Sequence, residues 1–194
     1  MGDVVFAPLY EVLRRRGVRF KFFHRVEEVR FGPAPAAGKA ARALRVESIR
    51  MTEQATIAGA DYEPLIHIKG LPCWPSEPRY EQLLEGDELA RRGVDLECPW
   101  DAWPGVGSHT LLAGQDFDDV IFGIPVGAVP SLCPSLIAAS PRWRTMTERV
   151  RTVATQAVQL WFRDDLRSLG WSTASPIIDA YDDPLNTWAD MSML

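Results

Sequence analysis

The chain has 194 residues, of which 46% are hydrophobic and 24% charged, and this composition is typical of a soluble globular protein with one large core or two smaller ones. Its net charge of -5 disfavours a general nucleic-acid binder, because contacts to phosphate need a positive surface. Three cysteines without a CxxC pair, and no secretory leader pattern, indicate reduced thiols in a cytoplasmic protein.

The first predicted elements are a helix and a strand that follow each other directly. Asp3 is a candidate N-cap and Gly17 a stop signal, so the apolar spacing between them predicts an amphipathic helix. The arginines before Gly17 are interpreted as a solvated helix end. Residues 18–26 alternate as a strand does. A helix that runs into a strand without a loop is typical of an α/β layer.

The middle of the chain predicts short strands and an irregular excursion. Residues 32–38 are rich in Gly, Pro and Ala and are predicted to be a connector. Strands are predicted at 44–57 and 65–68 from their alternation. The stretch 71–104 is rich in proline and tryptophan and is predicted to be irregular. It should hold one or two short helices, at 80–84 and 87–92.

The second half predicts strands, then helices, then strands again. The segments are strands at 109–113 and 120–124, helices at 126–138 and 142–150, and strands at 153–162 and 176–181. Residues 120–124 form a continuous apolar run of the kind found in buried strands. Pro130 and Pro134 should interrupt the first helix.

No self-contained active site emerges from the residues alone. His24, His67 and His109 do not stand at metal-ligand spacing with the cysteines, so each is interpreted as a strand residue. Residues 32–40 lack the spacing and the hydroxyl of a phosphate loop. Residues 105–107 lack the third glycine of a dinucleotide fingerprint, and no GxSxG elbow occurs.

The order of the segments resembles one family more specifically than any single motif does. Residues 2–18, GDVVFAPLYEVLRRRGV, resemble the helix that precedes a cofactor-contacting strand, and residues 23–29, FHRVEEV, resemble that strand. Residues 117–125, FDDVIFGIP, are similar to a strand that returns to the cofactor domain after a β-meander. Residues 143–146 and 152–161 look like the helix and sheet of a substrate domain. The family is that of the FAD-dependent flavin amine oxidases and phytoene desaturases.

The resemblance implies an α+β fold derived from an α/β one, with a partial FAD-binding domain, its β-meander and part of a mixed-sheet substrate domain. Residues 1–31 and 115–130 would be pieces of the FAD-binding domain. Residues 32–114 would hold the β-meander and the irregular Pro/Trp-rich insertion. Residues 131–194 would be part of the substrate-binding domain.

The resemblance also implies a cofactor and a reaction class. FAD would take a hydride from a C–N or C–C bond of a small or lipid-like substrate, as the flavin carries the chemistry. Val26 would offer backbone groups to the adenine ring, and Pro125 would lie near the cofactor. Gln159 and Trp161 are substrate-side candidates. The resemblance identifies no catalytic residue in this chain and no metal ligand.

The departures from the family are as informative as the matches. The sequence contains neither the GxGxxG unit that opens family members nor the glycine-aspartate segment that closes them. The expectation is therefore an internal fragment of a bacterial oxidoreductase, inactive alone, with weak or absent FAD binding. Exposed sheet edges would favour self-association, and no transmembrane segment is expected.

Two further readings stay open. The chain could be a non-catalytic binding or scaffold module, in which the tryptophan-rich excursion 74–103 forms a recognition surface. It could also be a remnant of the enzyme that has lost its activity.

Overall fold

The computed structural model describes residues 2–33, 44–153, 155–173, 176–180, 182 and 184–191. Helices occur together with antiparallel strands, so the predicted mixed α+β class is confirmed at this coarse level. The chain divides into two compact units, Met1–Val150 and Arg151–Leu194. The predicted boundary between residues 130 and 131 falls inside the first unit.

The first unit opens with the predicted helix. A π-helical turn, Gly2–Phe6, continues into α1, Ala7–Arg15. Gly17 follows the end of the helix with φ +87°, a left-handed conformation that glycine adopts without steric cost. Asp3 is not an N-cap, because its carboxylate accepts a hydrogen bond from the backbone N–H of Trp74 at 2.8 Å.

Among its described residues, the first unit has five strands in two sheets. They are β1 (His24–Pro33), β2 (Leu44–Glu53), β3 (Ile66–Ile68), β4 (Leu71–Cys73) and β5 (Gly107–Leu112). The larger sheet is antiparallel with the order β1-β2-β5, and β3 pairs with β4 in a small hairpin. The predicted strands near 44–57, 65–68 and 109–113 are therefore confirmed, with shifted ends.

The larger sheet has one apolar and one charged face. Val26, Val29 and Phe31 share a face of β1 with their partners on β2, because side chains alternate along a strand. Two register shifts, after Val26 and after Arg30, keep these apolar residues on the same face. The opposite face of the β1–β2 pair carries charged residues that pair across the strands, such as Glu28 with Arg50.

The helices that follow α1 in the first unit are short. They comprise 3-10 turns at Tyr80–Gln82 and Val126–Ala128 and the α-helices α2 (Gly86–Arg92), α3 (Val129–Leu132), α4 (Pro134–Ala139) and α5 (Pro141–Arg149). Helices α3, α4 and α5 each carry a proline in their first turn, where its missing N–H costs nothing. The predicted helices near 80–84, 87–92, 126–138 and 142–150 are all present.

Two separate buried clusters hold the first unit together. The loop cluster consists of Ala55, Tyr62, Leu83, Leu89, Val94 and Trp103. The sheet cluster consists of Val29, Val129, Cys133 and Leu136, where α3 and α4 cover the apolar face of the sheet. Each cluster is small, and the bulk of the remaining apolar surface lies at intermediate or high exposure.

The strand predicted at 18–26 was wrong in its first part. Only its last three residues, from His24, belong to β1. Phe23 has φ +58°, which interrupts an extended ladder. The rings of Phe20 and Phe22 pack instead on Tyr10 of α1, with centroids 4.7 and 6.2 Å away. Aromatic packing on the helix takes the place of sheet pairing here.

Two other predicted strands are also absent. Residues 120–124 are irregular, and the Ile121 side chain is 98% exposed. The described part of 153–162 is irregular and exposed as well. A strand needs a partner for its backbone groups, and neither run has one among the described residues. Most of the predicted connector 32–38 lies outside the described residues.

The second unit has little regular structure. Its strands are β6 (Ile177–Ile178) and β7 (Trp188–Ala189), which pair antiparallel. The strand predicted at 176–181 is therefore limited to two described residues. Across the described residues of the whole chain, no helix has the length and apolar character that crossing a membrane requires.

Candidate functional site

The outer edge of β1 is the first feature of the predicted cofactor site. β1 is an edge strand of its sheet, so every second residue turns its backbone N–H and C=O away from β2. Ser135 of α4 occupies this edge at one point, where its Oγ accepts the N–H of Phe31 at 2.9 Å. Within the described residues, no strand pairs with the edge around Val26. Backbone donors and acceptors are therefore presented beside Val26.

A β-bulge follows Val26 and alters the strand locally. Glu27 is the extra residue between the pairs formed by Val26 and Glu28. The Glu27 carboxylate accepts hydrogen bonds from Arg25 Nε at 2.7 Å and Thr52 Oγ1 at 2.8 Å. The hydrogen bond from Arg25 is the main reason that the pKa of Glu27 lies below its usual value. The bulge is thus fixed by a charged network on the polar face.

Val26 and the residue after Pro125 pack against the same buried cluster. The side chain of Val26 packs against the sheet cluster from the strand side. Val126, the residue that follows Pro125, packs against the same cluster. Pro125 itself is exposed and precedes the 3-10 turn with φ -55°. The two predicted cofactor-side positions are 99 residues apart in sequence but flank one patch of the fold.

The substrate-side candidates lie in the second unit. Gln159 and Trp161 are both exposed, and Trp161 is 91% exposed. They belong to the run that was predicted to be a strand and is irregular. The second unit buries neither side chain, so its own structure gives them no pocket.

A charged groove beside α1 was not foreseen from the sequence. It encloses about 430 Å³ and is lined by Tyr10, Glu11, Arg14, Arg15, Glu63, Leu65 and His67. Arg14 donates two hydrogen bonds to the Glu63 carboxylate, at 2.7 and 2.5 Å. These bonds lower the pKa of Glu63, while burial raises the pKa of Tyr10. No spacing rule joins two residues 49 positions apart, so sequence reasoning could not find the pair.

Two histidines meet at one end of the larger sheet. The rings of His24 on β1 and His109 on β5 are edge-to-face, with centroids 5.0 Å apart. His67 lies on β3, so the interpretation of all three as strand residues is confirmed. The described residues contain no group of three or more His, Cys, Asp or Glu side chains arranged to hold a metal ion.

The tryptophans of the excursion 74–103 have different environments. The Trp103 side chain is buried, and its Nε1–H donates to the Gln54 carbonyl oxygen at 2.7 Å. Trp74 packs edge-on against Tyr10 with ring centroids 5.5 Å apart. Trp100 is 87% exposed. Trp103 therefore fixes a loop to the core, and Trp100 faces solvent.

Comparisons with known proteins found no matching family model, no matching curated protein and no matching solved structure.

Proposed function

We propose that this chain is a piece of an FAD-dependent oxidoreductase of the amine oxidase or phytoene desaturase type, in which it contacts the adenine end of the cofactor. The observation that carries the proposal is that Val26, on the edge strand β1, and Val126, directly after Pro125, pack against the same buried cluster. The complete enzyme would transfer a hydride from a C–N or C–C bond of a small or lipid-like substrate to the flavin.

The edge of β1 suits an adenine ring for a simple chemical reason. Adenine presents a donor, its amino group, next to ring nitrogen acceptors. An edge strand offers alternating C=O acceptors and N–H donors that can pair with such an edge.

The fit does not extend to the pyrophosphate of FAD. That group is usually held by backbone N–H groups of a glycine-rich loop at a helix N-terminus. The 194 residues contain no GxGxxG segment. Because much of the affinity for FAD depends on that contact, we expect weak cofactor binding and no turnover by this chain alone.

The competing proposal, a binding module with a tryptophan-rich surface, has less support. Trp103 is buried and Trp74 is partly covered by aromatic packing, which leaves Trp100 as the well-exposed tryptophan of the excursion. A recognition surface gains most from several aromatic anchors that lie together.

The proposal is tested by titrating the ¹⁵N-labelled chain with AMP and with FMN, the two halves of FAD, and following backbone amide shifts. We expect AMP to shift amides from His24 to Glu28 and at Val126, and FMN to leave them unchanged. Pro125→Ala should weaken the AMP response several-fold, whereas Pro104→Ala, at another exposed proline, should not. Equal responses to both ligands, or no response of β1 to AMP, would rule the proposal out.

A further inference from the structure

Helix α1 turns its apolar side away from the rest of the first unit. The residues that it buries are Ala7 and Tyr10. Large apolar side chains of the π-turn and the helix are exposed instead: Val4, Val5, Phe6, Leu9 and Val12. Val5, Leu9 and Val12 follow i, i+4, i+7 spacing and form one line on the helix surface, the α1 stripe. An exposed stripe of this kind marks an interaction surface.

A basic cluster follows the stripe directly. It consists of Arg16, Arg19 and Lys21, all exposed. In the described parts of the chain, none of the three forms an ion pair, whereas Arg14 and Arg15 pair with Glu63 and Glu11. The cluster therefore presents three uncompensated positive charges beside the stripe, although the chain as a whole is acidic.

We propose that the α1 stripe and the basic cluster dock together on an anionic lipid surface, with α1 lying in the plane of the interface. The stripe would enter the boundary between headgroups and acyl chains, and the basic cluster would meet the negative headgroups. Val18 lies between Arg16 and Arg19 in sequence and is exposed too, so it adds to the apolar contact. An anionic lipid surface is complementary to apolar side chains that lie next to positive charges.

A second copy of the chain fits this surface less well. If two stripes paired in parallel, one basic cluster would face the other. If they paired antiparallel, each cluster would face the N-terminus of the partner helix, which carries a partial positive charge. Asp3, the acid near that end, already accepts the N–H of Trp74. The parallel arrangement brings like charges together, and the antiparallel one offers three basic groups the single carboxylate of Asp3, whereas an anionic lipid surface can neutralise all three. The inference does not depend on the flavin proposal.

The test is flotation of the 194-residue chain with vesicles of phosphatidylcholine, with and without phosphatidylserine. We expect binding to the vesicles with phosphatidylserine, weakened by added salt. The double variant Leu9→Gln/Val12→Gln and the triple variant Arg16→Gln/Arg19→Gln/Lys21→Gln should each lower the partition coefficient roughly tenfold or more. All substituted side chains are exposed, so circular dichroism should show an unchanged fold.

Matched controls distinguish binding through this surface from non-specific hydrophobic binding and from an effect of net charge. Leu84→Gln removes an exposed leucine elsewhere, and Arg91→Gln/Arg142→Gln/Arg149→Gln makes the same charge change on other helices. Neither control should alter binding. Loss of binding in the controls to the same extent, or no binding of the original chain to phosphatidylserine vesicles, would overturn the proposal. A dimer in sedimentation that Leu9→Gln/Val12→Gln abolishes, without vesicle binding, would assign the stripe to a second copy instead.

Discussion

At the scale of single residues, Trp103 ties the loop cluster to the segment after β2. Its indole is buried among Ala55, Leu83 and Leu89, and its N–H reaches the Gln54 carbonyl oxygen. The Gln54 side chain in turn donates from Nε2 to the Leu96 carbonyl oxygen at 2.8 Å. A buried aromatic ring with a satisfied polar edge fixes both the position and the orientation of a loop.

The substitution Trp103→Phe should lower the free energy of unfolding by about 1–3 kcal/mol, because it leaves the buried Gln54 carbonyl oxygen without its donor and removes ring area. Urea unfolding followed by circular dichroism measures the change. The control is Trp100→Phe at an exposed position, which should change stability by less than about 0.5 kcal/mol. Equal effects of the two substitutions would mean that the indole hydrogen bond contributes nothing.

Glu27 gives a pH-dependent prediction. Arg25 lowers the pKa of Glu27 in the folded chain, so its contribution to stability is present above the unfolded-state pKa of about 4.3 and is lost as the pH falls through the folded value. Glu27→Gln should therefore lower stability by about 0.5–1 kcal/mol at pH 7 and by less as the pH falls below the unfolded-state pKa. Urea midpoints at pH 7 and at lower pH values provide the measurement. A pH-independent difference would contradict the ion-pair explanation.

At the scale of elements, the sequence predicted a strand correctly where the fold supplies a pairing partner and wrongly where it does not. The alternation of β2 and the interruption of the helix 126–138 at Pro134 are local signals, and both predictions are confirmed. Residues 120–124 carry an equally strong strand signal and are irregular. Local pattern fixes which backbone conformation is favoured, but a strand also needs a neighbour, which no local pattern supplies.

The candidate site shows the same division. Val26 could be placed on a strand from the alternation around it, and His24, His67 and His109 likewise. The bulge at Glu27 and the pair of Arg14 with Glu63 arise from contacts between distant segments. Their residue types are too common, and their separations too irregular, to identify them in advance.

The packing of α4 on the larger sheet can be tested directly by substitution. Leu136 is buried in the sheet cluster with Val29 and Val129. Leu136→Ala should cost about 2–4 kcal/mol through lost apolar contact and the cavity left behind. Leu84→Ala, at an exposed leucine, should cost far less. Urea unfolding of both variants measures the difference, and a small effect at Leu136 would show that α4 is loosely attached.

At the scale of the whole molecule, the two units differ in how much they bury. Both buried clusters belong to Met1–Val150. No described residue between 151 and 191 is buried. A unit without buried apolar side chains has little to offset its conformational entropy, so the stability of the chain should reside in the first unit.

A chain ended after Val150 should therefore unfold within about 2 °C of the 194-residue chain, with a transition of similar cooperativity. Differential scanning calorimetry of both chains makes the comparison. A much lower unfolding temperature for the shorter chain would show that residues 151–194 stabilise the first unit.

The measurement that tests the central claim most directly is a titration of the 194-residue chain with FAD, followed by flavin absorbance and fluorescence. The account predicts a small rise in flavin fluorescence, because adenine held at β1 can no longer stack on the flavin and quench it. The rise should saturate only at roughly millimolar concentrations, since the pyrophosphate is not contacted, be reversed by excess AMP and leave the flavin absorbance unchanged. Micromolar affinity with a perturbed flavin spectrum would contradict the prediction that the chain has no binding site for the pyrophosphate. Quenching in place of the rise, or a fluorescence change that AMP does not reverse, would contradict an adenine site at Val26.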